Sequence, residues 1–431
     1  MTKKHVDIIT LGCSKNLVDS EQLMRQFGAN GYTVAHDPQQ ATGEIVVINT
    51  CGFIDSAKEE SVAMILQFAQ ARKTGKIKRL YVMGCLSERY MNELQNLIPE
   101  VDKFYGKFNW KSLLTDLGKT YHAELSEERS LTTPAHYAYI KIAEGCNRSC
   151  SYCSIPMITG KYHSRQIAAI EQEVKQLVTK GVKEFQLIAQ DLTYYGYDLH
   201  RQYQIAELTA RLAAIEGVEW LRLHYAYPTH FPMDLLPVIR EHPNVCKYLD
   251  IALQHSSNAM LKKMRRNITR AETVELLQTI RREVPNIHLR TTMLVGHPDE
   301  TEADFQDLLA FVREMRFERL GAFIYSEEEG TYAAKHYRDN VPVAVKQQRL
   351  DELMRVQESI SAEINAAKIG KNLRVIIDRK EDDFYIGRTE FDSPEVDTEV
   401  LIRSTTALQT GNFYKTQIID TQSFDLIGAI I

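Results

Sequence analysis

No run of about eighteen apolar residues occurs in this chain, so no membrane-spanning helix is expected. Nor is there an excess of positive charge. Lys and Arg number 52 against 57 Asp and Glu, a net charge of −5, which leaves no global basic field for nucleic acid. Low-complexity tracts and short internal repeats are missing. The opening residues, Met1-Thr-Lys-Lys-His-Val6, run straight into a strand-like segment with no signal-peptide pattern. Cysteine is scarce as well. Seven in 431 residues is an odd count and too sparse for a disulfide framework, so they read as metal ligands or free thiols of a reducing cytoplasm. The rest is ordinary: 44% hydrophobic and 25% charged residues suit a globular chain of roughly two to four domains.

Three of the seven cysteines stand in one stretch, Glu144-Gly-Cys-Asn-Arg-Ser-Cys-Ser-Tyr-Cys153, which spaces Cys146, Cys150 and Cys153 as C-x3-C-x2-C. Three thiolates in one tight loop hold three corners of an iron–sulfur cube and leave the fourth iron open. An open metal position is where chemistry takes place, as in catalytic rather than structural zinc sites. A structural zinc site wants four ligands, and the nearest later cysteine, Cys246, stands alone. The array follows a strand-like run, Tyr137–Ala143, and Tyr152 immediately precedes its last cysteine.

The other three cysteines share a topological position. Val6–Leu11, Glu44–Thr50 and Arg79–Met83 read as buried strands, ending at Gly12-Cys13, Cys51-Gly52 and Gly84-Cys85. Helical patterns follow at about 17–29, from Ser56 (a capping-box candidate with Glu59) and at about 88–97. Strands alternating with helices predict a parallel α/β sheet, whose strand C-termini share the edge where ligands bind. Cys13, Cys51 and Cys85 are therefore expected to converge. One reading is three separate core cysteines; the other, which the shared position favours, is a second three-cysteine cluster.

A polar, Pro-containing stretch, Leu125–Pro134, reads as a domain boundary. Six strand-like runs follow, near 137–143, 184–190, 219–225, 248–254, 287–295 and 319–325, each succeeded by a helical pattern. Six βα units predict an open, partial (β/α)6 barrel with its functional groups at strand C-terminal ends. Those ends carry Gln190-Asp191, His224-Tyr225, Gln254-His255, Gly296-His297-Pro298 and Tyr325-Ser326; Gln190, Gln254 and Gly296 are the expected cofactor contacts. The basic run Leu261–Arg270 reads either as an anion contact or as a solvated helix face, and Arg165 as a second candidate anion contact. From about 367 the pattern changes to five short strands in the manner of a small oligonucleotide-binding barrel. Residues 368–431 hold eight basic and eleven acidic side chains, which fits a basic protein partner better than nucleic acid.

The C-x3-C-x2-C loop with its aromatic resembles the radical S-adenosylmethionine superfamily. The three-part order resembles its methylthiotransferase branch over essentially the whole chain. Within that branch one type modifies an adenosine of tRNA and another an aspartate of small-subunit ribosomal protein twelve. Thr10–Glu21, Gly145–Pro156, Tyr248–His255 and Tyr325–Thr331 are similar to the second type. The tRNA type usually has an arginine and a proline before the Gly-Thr of the last stretch. Met157-Ile-Thr-Gly160 departs from the pattern, with Thr159 where the family often has a basic residue.

The resemblance implies an N-terminal methylthiotransferase domain (1–124), a radical S-adenosylmethionine barrel (135–366) and a C-terminal TRAM barrel (367–431). It implies two 4Fe-4S clusters, one on Cys146, Cys150 and Cys153 and one on Cys13, Cys51 and Cys85, with Tyr152 beside the bound S-adenosylmethionine. One S-adenosylmethionine would donate a methyl group to sulfur at the second cluster. Another would yield the deoxyadenosyl radical that takes a hydrogen from the aspartate β-carbon. The implied partners are ribosomal protein twelve, alone or within the ribosomal subunit, and an electron donor such as flavodoxin or ferredoxin; the compartment is the cytoplasm. The readings set against this one are a tRNA methylthiotransferase, a non-enzymatic iron–sulfur carrier and a zinc-stabilised RNA-binding protein.

Overall fold

Val46, Val47 and Ile48 are all fully buried, as a strand covered on both faces requires. They belong to the first of two compact units in a computed structural model that describes residues 4–39, 43–422 and 424–431. Met1–Lys3, the start of the stretch read as lacking a signal peptide, lie outside the described residues. Unit one comprises Met1–Thr133, Glu144–Arg148 and Ser154–His163; unit two comprises Pro134–Ala143, Ser149–Cys153 and Ser164–Ile431.

Unit one contains β1 (His5–Thr10), α1 (Ser14–Ala29), β2 (Thr33–His36), β3 (Ile45–Thr50), α2 (Asp55–Lys73), β4 (Arg79–Gly84), α3 (Cys85–Leu97), β5 (Lys103–Phe104) and α4 (Lys111–Asp116). The strands form a parallel sheet in the order β2-β1-β3-β4-β5. One face packs Ile9, Ile48 and Val82 against Ile65, Phe68 and Leu94. The other packs Ile8, Val47 and Met83 against Leu23, Phe27 and Leu113. This is the doubly wound order whose strand sequence reverses between its β1 and β3, opening a crevice at their carboxyl ends.

Local details differ from the sequence expectation. Helix α1 starts at Ser14, three residues early, because Cys13 serves as its N-cap. Ser56 does not cap α2: the N-cap is Ile54 without a side-chain bond, and Asp55 supplies the first-turn negative charge. Helix α3 begins at Cys85 because Gly84 turns there with φ +100°, its hydrogen facing the Thr50 backbone and leaving no room for a Cβ. Strands β2 and β5, four and two residues long, are too short to give a periodic signal. The polar stretch after residue 124 is anchored: buried Arg129 pairs with buried Glu21 at 2.9 Å, and Thr132 donates to Glu21 from its backbone at 2.7 Å.

Unit two carries six parallel strands in the order β13-β12-β11-β10-β9-β6. They are β6 (Tyr137–Lys141), β9 (Glu184–Ile188), β10 (Trp220–Ala226), β11 (Val245–Gln254), β12 (His288–Val295) and β13 (Arg319–Ile324). Two short strands, β7 (Ala143–Glu144) and β8 (His163–Ser164), pair with each other, and the helix α5 (Ile155–Thr159) belongs to unit one. The intervening helices are α6 (Ile167–Thr179), α7 (Tyr197–His200), α8 (Ile205–Ala213), α9 (Leu235–Glu241), α10 (Asn258–Lys263), α11 (Arg270–Glu283), α12 (Glu302–Met315), α13 (Tyr332–His336) and α14 (Val343–Ala366). Five strands then close a barrel in the order β14-β15-β16-β18-β17: β14 (Asn372–Glu381), β15 (Phe384–Thr389), β16 (Val400–Ile402), β17 (Phe413–Thr421) and β18 (Leu426–Ile430). The fold class is mixed α/β with an open parallel sheet and a closed C-terminal barrel, as expected.

The barrel covers the edge of the sheet where the strands begin. Trp220 packs edge-on to Phe413, with ring centroids 4.8 Å apart, and Ile376 sits with Cys246 and Tyr248. A buried ionic network lies beside them. Glu184 accepts from Arg388 at 2.8 Å and from Arg222 at 3.1 Å, while Asp378 accepts from Arg388 at 2.6 Å and bonds His136 at 2.7 Å. Arg319 donates to Asp392 at 2.5 Å, and Tyr248 to Asp397 at 2.9 Å. Tyr137 donates to Glu395 at 2.9 Å. Of the acidic residues in this segment, Asp378, Asp392, Glu395 and Asp397 neutralise or bond the sheet's own side chains, whereas Glu381, Asp382 and Asp383 are exposed.

Candidate functional site

Cys13 and Cys51 follow β1 and β3 and flank the crevice where the strand order reverses, while Cys85 opens α3 after β4. The loops that carry them touch. A Cβ on Gly12, which sits at φ +93°, would lie 2.9 Å from the Cys51 sulfur, and one on Gly52 would lie 2.8 Å from the Cys85 carbonyl carbon. Asn16, 1% exposed, ties the edge together: its amide donates to the carbonyls of Leu11 and Thr50, both at 3.0 Å, and its Oδ1 lies 3.6 Å from the Cys85 sulfur. The three predicted cysteines are thus brought to one edge.

Their thiols are electrostatically unequal. Surrounding protein penalises a charge on Cys13 even though the residue is exposed, but Lys15, Lys107 and the N–H groups at the start of α1 outweigh it and lower its pKa. Burial raises Cys51, and pushes Cys85 up to about 12. Lys107, absent from the sequence reading, is the buried counter-charge. Its ammonium is 3.1 Å from Asp19 and 3.6 Å from Glu144. Burial alone would depress it; Asp19 and Glu144 first, then Cys85 and Cys13, more than reverse that and hold it charged. No local signal marked it, because β5, the strand it follows, is two residues long and gives no periodic pattern. Among the described residues no three His, Cys, Asp or Glu side chains converge on a single-ion position. A cube requires no such point, because each thiolate binds its own iron. Three thiols on one edge, two helix N-termini and a buried cation fit an anionic three-thiolate cluster.

The second set lies on the stretch after β7. In unit one, Gly145 takes φ +86° where a Cβ would meet the Lys161 carbonyl at 2.1 Å, and the Cys146 N–H donates to the Gly160 carbonyl at 3.2 Å. The Arg148 N–H donates to the Cys146 sulfur at 3.4 Å. In unit two, Cys150 and Cys153 are joined by an N–H to carbonyl bond of 3.2 Å. Ser151 between them is clamped from three directions: by the Met264 carbonyl at 3.0 Å, the Ala333 N–H at 2.7 Å and His297 Nε2 at 3.4 Å. The Tyr152 ring packs on Met264, Leu294, Tyr325 and Ala333; burial and then Cys150 raise its hydroxyl pKa, so it stays neutral. Arg266, from the basic run, places Nη1 3.3 Å from the Cys150 sulfur. Side chains thus fix sulfurs by backbone and N–H contacts, the environment that a thiolate-ligated cluster uses.

The rim residues divide by task. Gln190 and Gln254 stand half-buried at the carboxyl ends of β9 and β11, Gln254 at φ +74°. Gly296 is at φ +73° after β12, donates to Glu300 at 2.8 Å, and has Lys346 where a Cβ would stand. His224 is buried on Gln186 at 2.6 Å, and His255 accepts the N–H groups of Ser256 and Ser257 at 2.9 and 3.0 Å. Arg165 pairs with Glu173 at 2.7 Å, which makes it structural. Of the basic run, Lys263 pairs with Asp299 and Arg270 with Asp307 and Glu314, so these two take the surface reading and Arg266 alone points to the cysteines. Cys246 is buried at the opposite end of β11 from Gln254.

Residues 140–312 match the family described as "Radical SAM superfamily", residues 369–431 the "TRAM domain" and residues 5–106 "Uncharacterized protein family UPF0004". Two solved structures share the fold. The radical S-adenosylmethionine methyltransferase TsrM from Kitasatospora setae aligns over 77% of each chain at 12% identity with a TM-score of 0.56. The cobalamin-dependent enzyme OxsB aligns over 83% of this chain and 56% of its own at 10% identity with a TM-score of 0.54. Fold and cysteine loop therefore define a radical S-adenosylmethionine protein with a TRAM domain.

Among curated proteins, the "Ribosomal protein uS12 methylthiotransferase RimO" of Parabacteroides distasonis is 64% identical over the full length of both chains. Its counterpart in Bacteroides fragilis is 63% identical over the full length of both, and that in Christiangramia forsetii 51% over 99% of this chain and 94% of its own. The chain belongs to this family of radical S-adenosylmethionine methylthiotransferases.

Proposed function

We propose that the protein adds a methylthio group to the β-carbon of an aspartate in small-subunit ribosomal protein twelve. The observation that carries the reading is the placement of two separate three-cysteine sets on one chain: Cys13, Cys51 and Cys85 on the crevice edge of unit one, and Cys146, Cys150 and Cys153 on a clamped loop. The relatives' shared name supplies the target protein. The matched segments support a division into modules at 1–124, 135–366 and 367–431.

The chain's residues act as holders and charge setters. Cys146, Cys150 and Cys153 would hold one 4Fe-4S cluster with an open iron for S-adenosylmethionine. Cys13, Cys51 and Cys85 would hold a second, which would supply the sulfur-carrying site. Bound together, these groups supply the methyl transfer to sulfur and the radical that removes a hydrogen which no protein acid or base can take. Lys107 balances the charge of the thiolates at Cys13 and Cys85. Ser151, clamped by Met264, His297 and Ala333, fixes the spacing of its neighbouring cysteines, and Tyr152 closes the loop's apolar side. Gln190 and Gln254, at strand ends of the same sheet edge, would meet polar groups of the cofactor. One-electron chemistry needs an external donor of the flavodoxin or ferredoxin kind. A ribosomal substrate places the activity in the cytoplasm, and among the described residues no helix is long and apolar enough to cross a membrane.

The test is mass spectrometry of ribosomal protein twelve and of bulk tRNA from cells with and without the gene. A methylthio mass increment lost from the ribosomal protein alone is expected. Loss from tRNA alone would keep the chemistry and overturn the target.

A further inference from the structure

We propose that Arg266 is a positioning residue of the C-x3-C-x2-C loop: its guanidinium donates an N–H to the Cys150 sulfur and holds up the reduction potential of the cluster ligated there. This rests on the reading that Cys146, Cys150 and Cys153 hold an iron–sulfur cluster.

The backbone around Arg266 is built to turn one side chain inward. Helix α10 ends at Lys263, and the residues on either side of Arg266, Arg265 and Asn267, both take left-handed conformations at φ +57° and +53°. Such conformations are unfavourable for residues with a Cβ and persist where surrounding contacts enforce them. The alternation sends Arg265 out, over the Tyr332 ring at 4.5 Å, and Arg266 in, where it is 2% exposed. The Arg266 carbonyl accepts from Thr229 at 2.8 Å and from the Tyr227 hydroxyl at 3.4 Å, which locks the turn.

The guanidinium is then held on three sides. Nη2 donates to the Ala252 carbonyl, and the plane lies over the Tyr227 ring with the central carbon 4.1 Å from its centroid. Nη1 faces the Cys150 sulfur at 3.3 Å and the Tyr152 hydroxyl at 3.5 Å. The Tyr227 hydroxyl stands 3.6 Å from the same sulfur. Nε is buried with no partner.

Charge gives the arrangement its meaning. Among the described residues no carboxylate pairs with Arg266, and a buried cation without an anion is unfavourable. The group it faces that would become an anion on binding iron is the Cys150 sulfur, 3.3 Å away. A thiolate bound to iron is that anion. Reduction adds a further electron to the cluster, and a cation with an N–H on a ligand sulfur favours the added charge in a low-dielectric site. Arg266 therefore acts through Cys150, not on substrate.

The test uses the full-length chain carrying Cys13→Ala, Cys51→Ala and Cys85→Ala, reconstituted with iron and sulfide so that one cluster remains, and follows its reduction by electron paramagnetic resonance. Arg266→Gln is expected to lower the ratio of reduced to oxidised cluster at a fixed solution potential at least tenfold, equivalent to 59 mV for one electron. Arg266→Lys, which keeps the charge and loses the fork, should fall between. A ratio unchanged within a factor of two in a loaded Arg266→Gln chain overturns the inference. If that variant takes up no iron, the decision passes to the Arg266-containing chain grown with 15N-arginine: pulsed resonance should show a nitrogen coupled to the reduced cluster, and its absence overturns the inference. If the Arg266-containing chain itself takes up no iron, the cluster reading fails first and this one falls with it.

Discussion

Lys107 shows what a single side chain does at the crevice edge of unit one. Its ammonium is buried between Asp19 and Glu144 and stabilises negative charge on Cys85 and Cys13. Removing one partner of a buried pair leaves the other charged without compensation, which typically costs about 3–5 kcal/mol. Lys107→Met should therefore lower the unfolding free energy of the metal-free chain by about that amount. Pairing it with Asp19→Asn should recover part of the loss, because the stranded carboxylate is then neutral. Urea unfolding of the two single variants and the double variant checks this; strictly additive losses would mean that the two residues do not act as a pair. Nothing in the composition singled this lysine out among 52 basic residues. Its partners lie 88 and 37 positions away in the chain, and only the folded sheet brings them together.

At the scale of elements, the loop between β15 and β16 joins barrel to sheet through Asp392. The residue is fully buried, which opposes ionisation, but Arg319 and Lys368, with the Thr389 hydroxyl, outweigh burial and lower its pKa to about 2. A carboxyl depressed in the folded state contributes stability above its ordinary pKa of 3.8 and loses it as pH falls toward 2. The contribution is about 2 kcal/mol at neutral pH, with about 1 kcal/mol gone by pH 3. Asp392→Asn should flatten the stability–pH curve between pH 5 and pH 3 by that amount, read from urea unfolding at each pH. An unchanged slope would remove Asp392 from the acid response. The elements themselves were legible because their periodicity is local: all six strands of the open sheet fall within a few residues of their expected places, and the five short strands expected after about 367 close the barrel. The shared position of Cys13, Cys51 and Cys85 was legible for the same reason, from glycines at strand ends. The Ser56 cap was misread because a capping motif competes with an alternative N-cap two residues earlier, Ile54, after which Asp55 already meets the helix dipole. The pairing of Arg388 with Glu184 spans 204 positions and has no local pattern at all.

For the molecule as a whole, the barrel acts as the floor of the sheet and not as an appended module. The N-terminal halves of the strands bury charged and aromatic side chains beside Cys246: Glu184, Trp220, Arg222, Cys246 and Tyr248 are each at most 2% exposed. The barrel covers them with Phe413 and Ile376, supplies Arg388 to Glu184, and places Asp392 and Asp397 on Arg319 and Tyr248. Without it, Glu184 keeps Arg222 but loses Arg388, and Arg319 loses Asp392. Trp220 and Tyr248 lose their apolar cover, and each buried aromatic contributes about 2–3 kcal/mol through its area alone. A chain ending at Ala367 should therefore fail to give a soluble monomer with native melting behaviour. In the full chain, sheet and barrel should unfold in one calorimetric transition, and salt should shift that transition little because the joining ion pairs are shielded from screening. Size-exclusion chromatography of the shortened chain and calorimetry of the full one decide the matter. A monomeric shortened chain that melts at the full chain's temperature would mean that the ionic network orients the barrel without supporting the sheet.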